Sequence, residues 1–303
     1  MDLLLEWIAS QFAPYTFLNS PNNIMAGLAI ILVSVICGGM GGLVVGNRMA
    51  FFSDALAHCA FAGVALGFIF CLLTGIPDEY FREWITIVMV AFGIVIGVLI
   101  AWVRGRTGLA SDTVIGVFFA FAVGLGAVFS KLIGQHRRLL SIESFIFGDP
   151  LGVRQSDLIA LLVLLAVTVA FLGRYYNELI LTSVHASLAK SRRVPVEFLR
   201  YVLIILLGLI VNLCLNIVGV LLINGLLIVP AAAAANVTRN LRQHFWCTLL
   251  LTVACGIAGQ LVCWEINAHF RTELGIGGVI VVLVSLCFFA SMAIAPALRR
   301  RSA

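Results

Sequence analysis

Charge is scarce in this sequence. Only 11% of its 303 residues are Asp, Glu, Lys or Arg, against about 25% in a typical soluble domain. That deficit excludes a water-soluble globule. Also missing is a contiguous basic face able to track a phosphate backbone, so the net charge of +5 is no nucleic-acid footprint. The arginines sit instead in short loops between apolar runs and at the C-terminal end, where a membrane protein keeps its cytoplasmic positives. No C-x-x-C pair occurs among the eight cysteines (Cys37, Cys59, Cys71, Cys214, Cys247, Cys255, Cys263 and Cys287). All lie in or beside apolar runs and read as small buried hydrophobes, not as a disulfide framework or thiolate metal site. There is no G-x-x-x-x-G-K-[ST], hence no ATP hydrolysis through a P-loop, and neither H-E-x-x-H nor G-x-S-x-G. The chain is read as a non-enzyme.

What is present in place of charge is hydrocarbon: 62% hydrophobic residues and a mean hydropathy of +1.12. Apolar runs cover 24–45, 52–74, 84–103, 112–133, 157–173, 198–217, 219–237, 244–264 and 276–297. Most approach the roughly 20 residues a spanning helix needs. The sixth and seventh are separated only by Val218-Gly219, and Pro230 followed by five alanines makes the seventh a candidate for a short or re-entrant segment. The fold class is therefore an all-α polytopic integral membrane protein with eight or nine transmembrane helices and short loops. Residues 1–23 read as an N-terminal interfacial segment with aromatic anchors Trp7, Phe12, Tyr15 and Phe17. Residues 24–297 read as a single transmembrane domain, and 298–303 as a basic cytoplasmic tail.

Arg48, Arg104 and Arg106, Lys190 to Arg193, Arg239 to Arg242 and Arg299 to Arg301 alternate onto one side, taken as cytoplasmic. The Lys131 to Arg154 segment breaks this pattern with four positives on the outer side. With nine spans the N-terminus is outside and the C-terminus inside. G-x-x-x-G steps at Gly38, Gly42 and Gly46, at Gly63 and Gly67, and at Gly93 and Gly97 mark close helix approaches. The first two spans both carry such steps, which predicts a tight contact between them.

The costly residues are Asp54 and His58. They open the second run, four apart and thus on one helical face. An ionisable pair inside an apolar segment marks a cavity or a ligand, and carboxylate plus imidazole suits a divalent transition metal. The plainer alternative is that Asp54 caps the helix and His58 packs. Two donor residues are too few for a closed zinc site; an ion that must leave needs an incomplete one, and a symmetric dimer would bring two such pairs together. Asn212, Asn216 and Asn224 read first as interhelical glue. His269 with Glu273, and His136 with Arg137 and Arg138, read as solvated loop residues. His244-Phe245-Trp246 reads as an interfacial belt, and Asp112 as the N-cap of the fourth span. The loop from Thr182 to Arg200 is helical in its first half and too polar to span, so it suits a short helix along the cytoplasmic face that docks a partner.

With these residues on the page the chain resembles a known family. Gly46-Asn47-Arg48-Met49-Ala50-Phe51-Phe52-Ser53-Asp54-Ala55-Leu56-Ala57-His58 and its continuation to Gly67 is similar to the signature of the zinc/manganese/iron permeases of bacterial ATP-binding-cassette importers. So are Ala110-Ser111-Asp112-Thr113-Val114-Ile115-Gly116, Glu143 to Leu151, and Val218-Gly219-Val220-Leu221-Leu222 through Leu227-Ile228-Val229-Pro230-Ala231-Ala232, in the family's order over about 24–296. The resemblance implies a multi-pass protein of the bacterial inner membrane, a homodimeric pore, separate cytoplasmic ATPase subunits that use the ATP, and an extracytoplasmic metal-binding protein. It implies that Asp54 and His58 contact the transported ion, that the chain holds no cofactor of its own, and that about Ser183 to Pro195 forms the coupling helix on the ATPase. Members of the family often end that loop in leucine-glycine, where this chain has Arg192-Arg193. The Ala57-His58-Cys59-Ala60 context resembles the zinc members slightly more than the manganese ones. The alternatives are a self-contained secondary metal carrier, which needs inverted repeats or several midplane charges, and an intramembrane metal-dependent hydrolase, which needs a third ligand and a general base.

Overall fold

A computed structural model describes residues 17–133, 152–270 and 274–300. The described residues form helices and no strand: α1 (Pro21–Gly46), α2 (Ala50–Thr74), α3 (Phe81–Thr107), α4 (Ser111–Ile133), α5 (Gln155–Val184), the short α6 (Ala186–Ser191), α7 (Val196–Val237), α8 (Leu241–Phe270) and α9 (Ile276–Arg300). Eight of these, all but α6, are long and apolar enough to cross a membrane, which backbone self-satisfaction in hydrocarbon demands. The sixth and seventh apolar runs both fall in α7, 42 residues long, whose path breaks at Gly219 (φ 79°, ψ 166°). That backbone geometry is open essentially to glycine alone. Pro230 sits within the helix without ending it.

The chain divides into two compact units, one of Met1–Val45, Ile146–Phe171 and Ile217–Ala303, the other of Gly46–Phe145 and Leu172–Asn216. In the first unit, α1 meets α8 through its glycines. A Cβ added at Gly38 would stand 3.0 Å from Leu249 Cα, and one at Gly42 would stand 3.3 Å from the His244 ring. Gly41 lies against the carbonyl of Leu227 in α7, where a Cβ would come within 2.5 Å. Helix α8 meets α9 where Gly259 lies on Ile280, and the Cys255 and Cys287 sulfurs come within 3.7 Å. Phe17 packs edge-on to Trp264. The other anchors expected near the N-terminus, Trp7, Phe12 and Tyr15, lie outside the described residues.

In the second unit α2 is held by α3 and α4. Gly63 and Gly67 face Met89 and Ile85 of α3, each with a prospective Cβ 2.9 Å from a backbone Cα, and Gly126 of α4 lies against Phe61 and Ala62. Gly93 of α3 abuts the Asn212 side chain, and Gly97 lies beside Ile204. Within each unit the glycine steps mark close approaches. The steps of α1 serve α8, and those of α2 serve α3. A small-residue step says that something comes near without saying which helix.

Candidate functional site

The site is built on the second turn of α2. Met49 occupies the N-cap position with no side-chain cap bond, so Asp54 lies one full turn inside the helix. The capping alternative for Asp54 is thereby removed. Along this stretch Ala55, Leu56, Ala57 and Cys59 are buried at 0–1% exposure, packed towards α3 and α4. Asp54 and His58 occupy the one remaining face, 43% and 38% exposed respectively, with Asp54 Oδ1 3.7 Å from His58 Nε2. The His58 ring also stands edge-to-face on Phe119 of α4, centroids 4.9 Å apart, which limits how far the imidazole can swing.

This geometry has a definite chemical meaning. At 3.7 Å the two groups are beyond an ordinary hydrogen bond, yet close enough for one ion to contact a carboxylate oxygen and an imidazole nitrogen together. Cys59 is adjacent in sequence but faces the packed side, so its sulfur is no part of that donor set. Among the described residues no group of three or more His, Cys, Asp or Glu side chains gathers in one place. The pair supplies two donor residues, and a full coordination shell needs others from water or from a second chain.

The remaining candidates separate cleanly. Asn216 donates from Nδ2 to Thr86 Oγ1 of α3 at 3.1 Å, the interhelical glue expected of it. Asn212 is fully buried, donates to the Gly208 carbonyl at 2.7 Å and fills the space beside Gly93. Asp112 falls within the first turn of α4, beyond Ala110, whose carbonyl takes the first bonds. There its charge favours the helix dipole without capping it. His244 is half-buried against Gly42. His136, Arg137, Arg138, Glu273 and the Glu143 to Leu151 block lie outside the described residues.

The expected short helix is present as α6, with its own Ala189 fully buried. The turn that follows is closed by Arg193 N–H on the Lys190 carbonyl and Val194 N–H on the Ala189 carbonyl. Arg193 stands there at φ 58°, in the left-handed conformation that glycine adopts without strain. The departure from the family's leucine-glycine thus falls on a residue whose backbone has kept a glycine's shape.

The model of the ABC 3 transport family matches residues 21–295. The chain belongs to that family. Its members are membrane components of transporters, not enzymes, and this chain is a multi-pass protein of the bacterial inner membrane. It is 28% identical to the manganese import system permease protein ScaB of Streptococcus gordonii over 89% of this chain and 90% of that one. It is also 28% identical to the high-affinity zinc uptake system membrane protein ZnuB of Haemophilus influenzae, over 81% and 87% respectively. Among solved structures it is similar to PsaBC from Streptococcus pneumoniae in complex with Fab (TM-score 0.74, 25% identity, 99% of this chain and 98% of that one). The fold is shared as well with an inward-facing metal-chelate type ABC transporter (TM-score 0.71, 16% identity, 96% and 97%).

Proposed function

We propose that this chain is the permease subunit of an ATP-binding-cassette importer for a divalent transition metal, with Asp54 and His58 contacting the ion on its way through. The observation that carries this reading is the open, two-residue donor set on the one unburied face of this stretch of a membrane helix. A group that costly is kept where it binds or conducts something. Zinc is the first candidate cargo, with manganese and iron as the others. Relatives named for manganese and for zinc both lie at 28% identity, and such O/N donor sets accept several divalent ions. Two copies facing each other at this helix would double the donors to four, the number a tetrahedral ion takes. ATP would be used by cytoplasmic ATPase subunits seated on about Ser183 to Pro195, around α6, and the ion would arrive from an extracytoplasmic metal-binding protein.

Uptake of radiolabelled zinc and manganese by cells carrying Asp54→Ala or His58→Ala tests the site. At wild-type protein level in the membrane, uptake should fall by at least about tenfold. Normal uptake would remove those residues from the path. Competition among zinc, manganese and iron in the same assay names the cargo. Because a ligating imidazole must be unprotonated, uptake should also fall in acid even with the delivering protein fully loaded.

A further inference from the structure

Three guanidiniums from separate stretches of the second unit line one cavity of about 260 Å³. Arg48 comes from the turn between α1 and α2, Arg104 from the last turn of α3, and Arg200 from near the start of α7. Among the described residues no Asp or Glu stands in the cavity wall. Glu197 pairs with Arg200 at 3.1 Å, and Asp112 is close enough to act on Arg104, but both carboxylates lie outside the lining. Among the described residues Arg48 forms no ion pair. A cleft of one charge sign with low-dielectric walls focuses its field and draws in a counter-ion.

Three further observations point the same way. Met49, in the wall, is the uncapped N-cap of α2, so the positive end of that helix dipole faces this neighbourhood. At the same depth as Arg104, and across the helix from it, Arg106 is stacked at 5.5 Å on Trp102, which is 51% exposed. An exposed tryptophan under an arginine marks the headgroup level of a bilayer. Arg48, Met49, Arg104 and Arg200 also border an apolar slot lined by Phe52, Ile100 and Ile115. The slot has room for about one water-sized group, so it marks an apolar rim beside the cationic chamber.

We propose that this cavity binds a phosphate group carried by an anionic lipid of the adjoining leaflet. Guanidinium forks hold phosphate oxygens bidentately, which ammonium groups cannot do. Thr182 and Ser183 just before α6 and Val196 just after it share the cavity wall. The bound headgroup therefore braces both attachments of α6.

The test uses the full-length chain purified in neutral lipid, with dioctanoyl phosphatidic acid as probe and native mass spectrometry and thermal unfolding as readouts. The probe should bind and raise the unfolding midpoint, while dioctanoyl phosphatidylcholine should do neither. Arg48→Gln and Arg104→Gln should each weaken the probe by about tenfold or more, the size of one charge-assisted hydrogen bond. Arg106→Gln, outside the cavity, should leave it unchanged. Equal weakening by Arg106→Gln would show diffuse interfacial charge and overturn the site. Competition on the unaltered chain makes the outcome independent of whether the variants fold. Displacement of the probe by inorganic phosphate at matching concentration would keep a phosphate site but overturn its lipid source. Absence of probe binding, with loss of ATPase copurification in Arg48→Gln, would assign the cavity to a carboxylate of a cytoplasmic partner and overturn the proposal.

Discussion

At the scale of single residues, position along the helix and position around it carry different information. That Asp54 and His58 share a face follows from their spacing, and the sequence shows it. That this face is the unburied one does not follow, because every residue around the pair from Ala55 to Cys59 is apolar and any face could have been packed. The packing was decided by Gly63, Gly67 and Gly126 drawing α3 and α4 onto the other sides. Asn212 shows the converse. It stands in the sequence as a candidate pore residue, but its Nδ2 is spent on the carbonyl of its own helix, with no partner at Oδ1 among the described residues. Asn212→Leu keeps the volume and removes the buried polar atoms, so stability in detergent should change by no more than about 1 kcal/mol, with uptake intact. Loss of uptake by a stable, abundant variant would instead place Asn212 in the ion path. Arg193 invites a different substitution. Arg193→Gly relieves a left-handed backbone that costs an ordinary residue about 1–2 kcal/mol, and it should tighten the turn after α6. Slower hydrogen exchange at the Arg193 and Val194 amides is the expected sign.

At the scale of elements, helix count and helix partner were legible to different degrees. The apolar runs place every described spanning helix, since hydrocarbon leaves a long apolar segment little alternative. They do not reveal that the runs either side of Val218 are two helical stretches meeting at a non-helical break at Gly219, because a glycine between apolar runs is equally compatible with a loop. Gly219→Ala forces a side chain into a backbone region reserved for glycine. It should cost about 1–3 kcal/mol of stability, seen as a lower unfolding midpoint. The glycines also differ among themselves in a way that sequence alone does not expose. At Gly41 a Cβ would strike a backbone carbonyl, whereas at Gly173 in α5 nothing among the described residues lies within 4 Å. Gly41→Ala should destabilise by about 1–3 kcal/mol. Gly173→Ala should be neutral or stabilise by up to about 1 kcal/mol, because only helix propensity changes there. Paired thermal melts of the two variants check the contrast.

At the scale of the whole molecule, the proposed ion site takes its remaining donors from a second copy of the chain. In a variant with all eight native cysteines replaced, a cysteine introduced at position 54 should form an intermolecular disulfide under mild oxidation and migrate as a dimer on a denaturing gel. A monomer band alone would place the two copies' α2 helices apart. The division of the chain has its own outcome, which concerns time. The segments of the second unit end at Asn216, while the first unit receives its last ones only from Ile217 onward. Helix α1 leaves the ribosome well before α8, yet Gly38 and Gly42 wait for Leu249 and His244 of that helix. About two hundred residues of further synthesis separate them, on the order of 10–40 s at ordinary rates of elongation. For that interval helix α1 stands in the bilayer without the neighbour its glycines were shaped to meet.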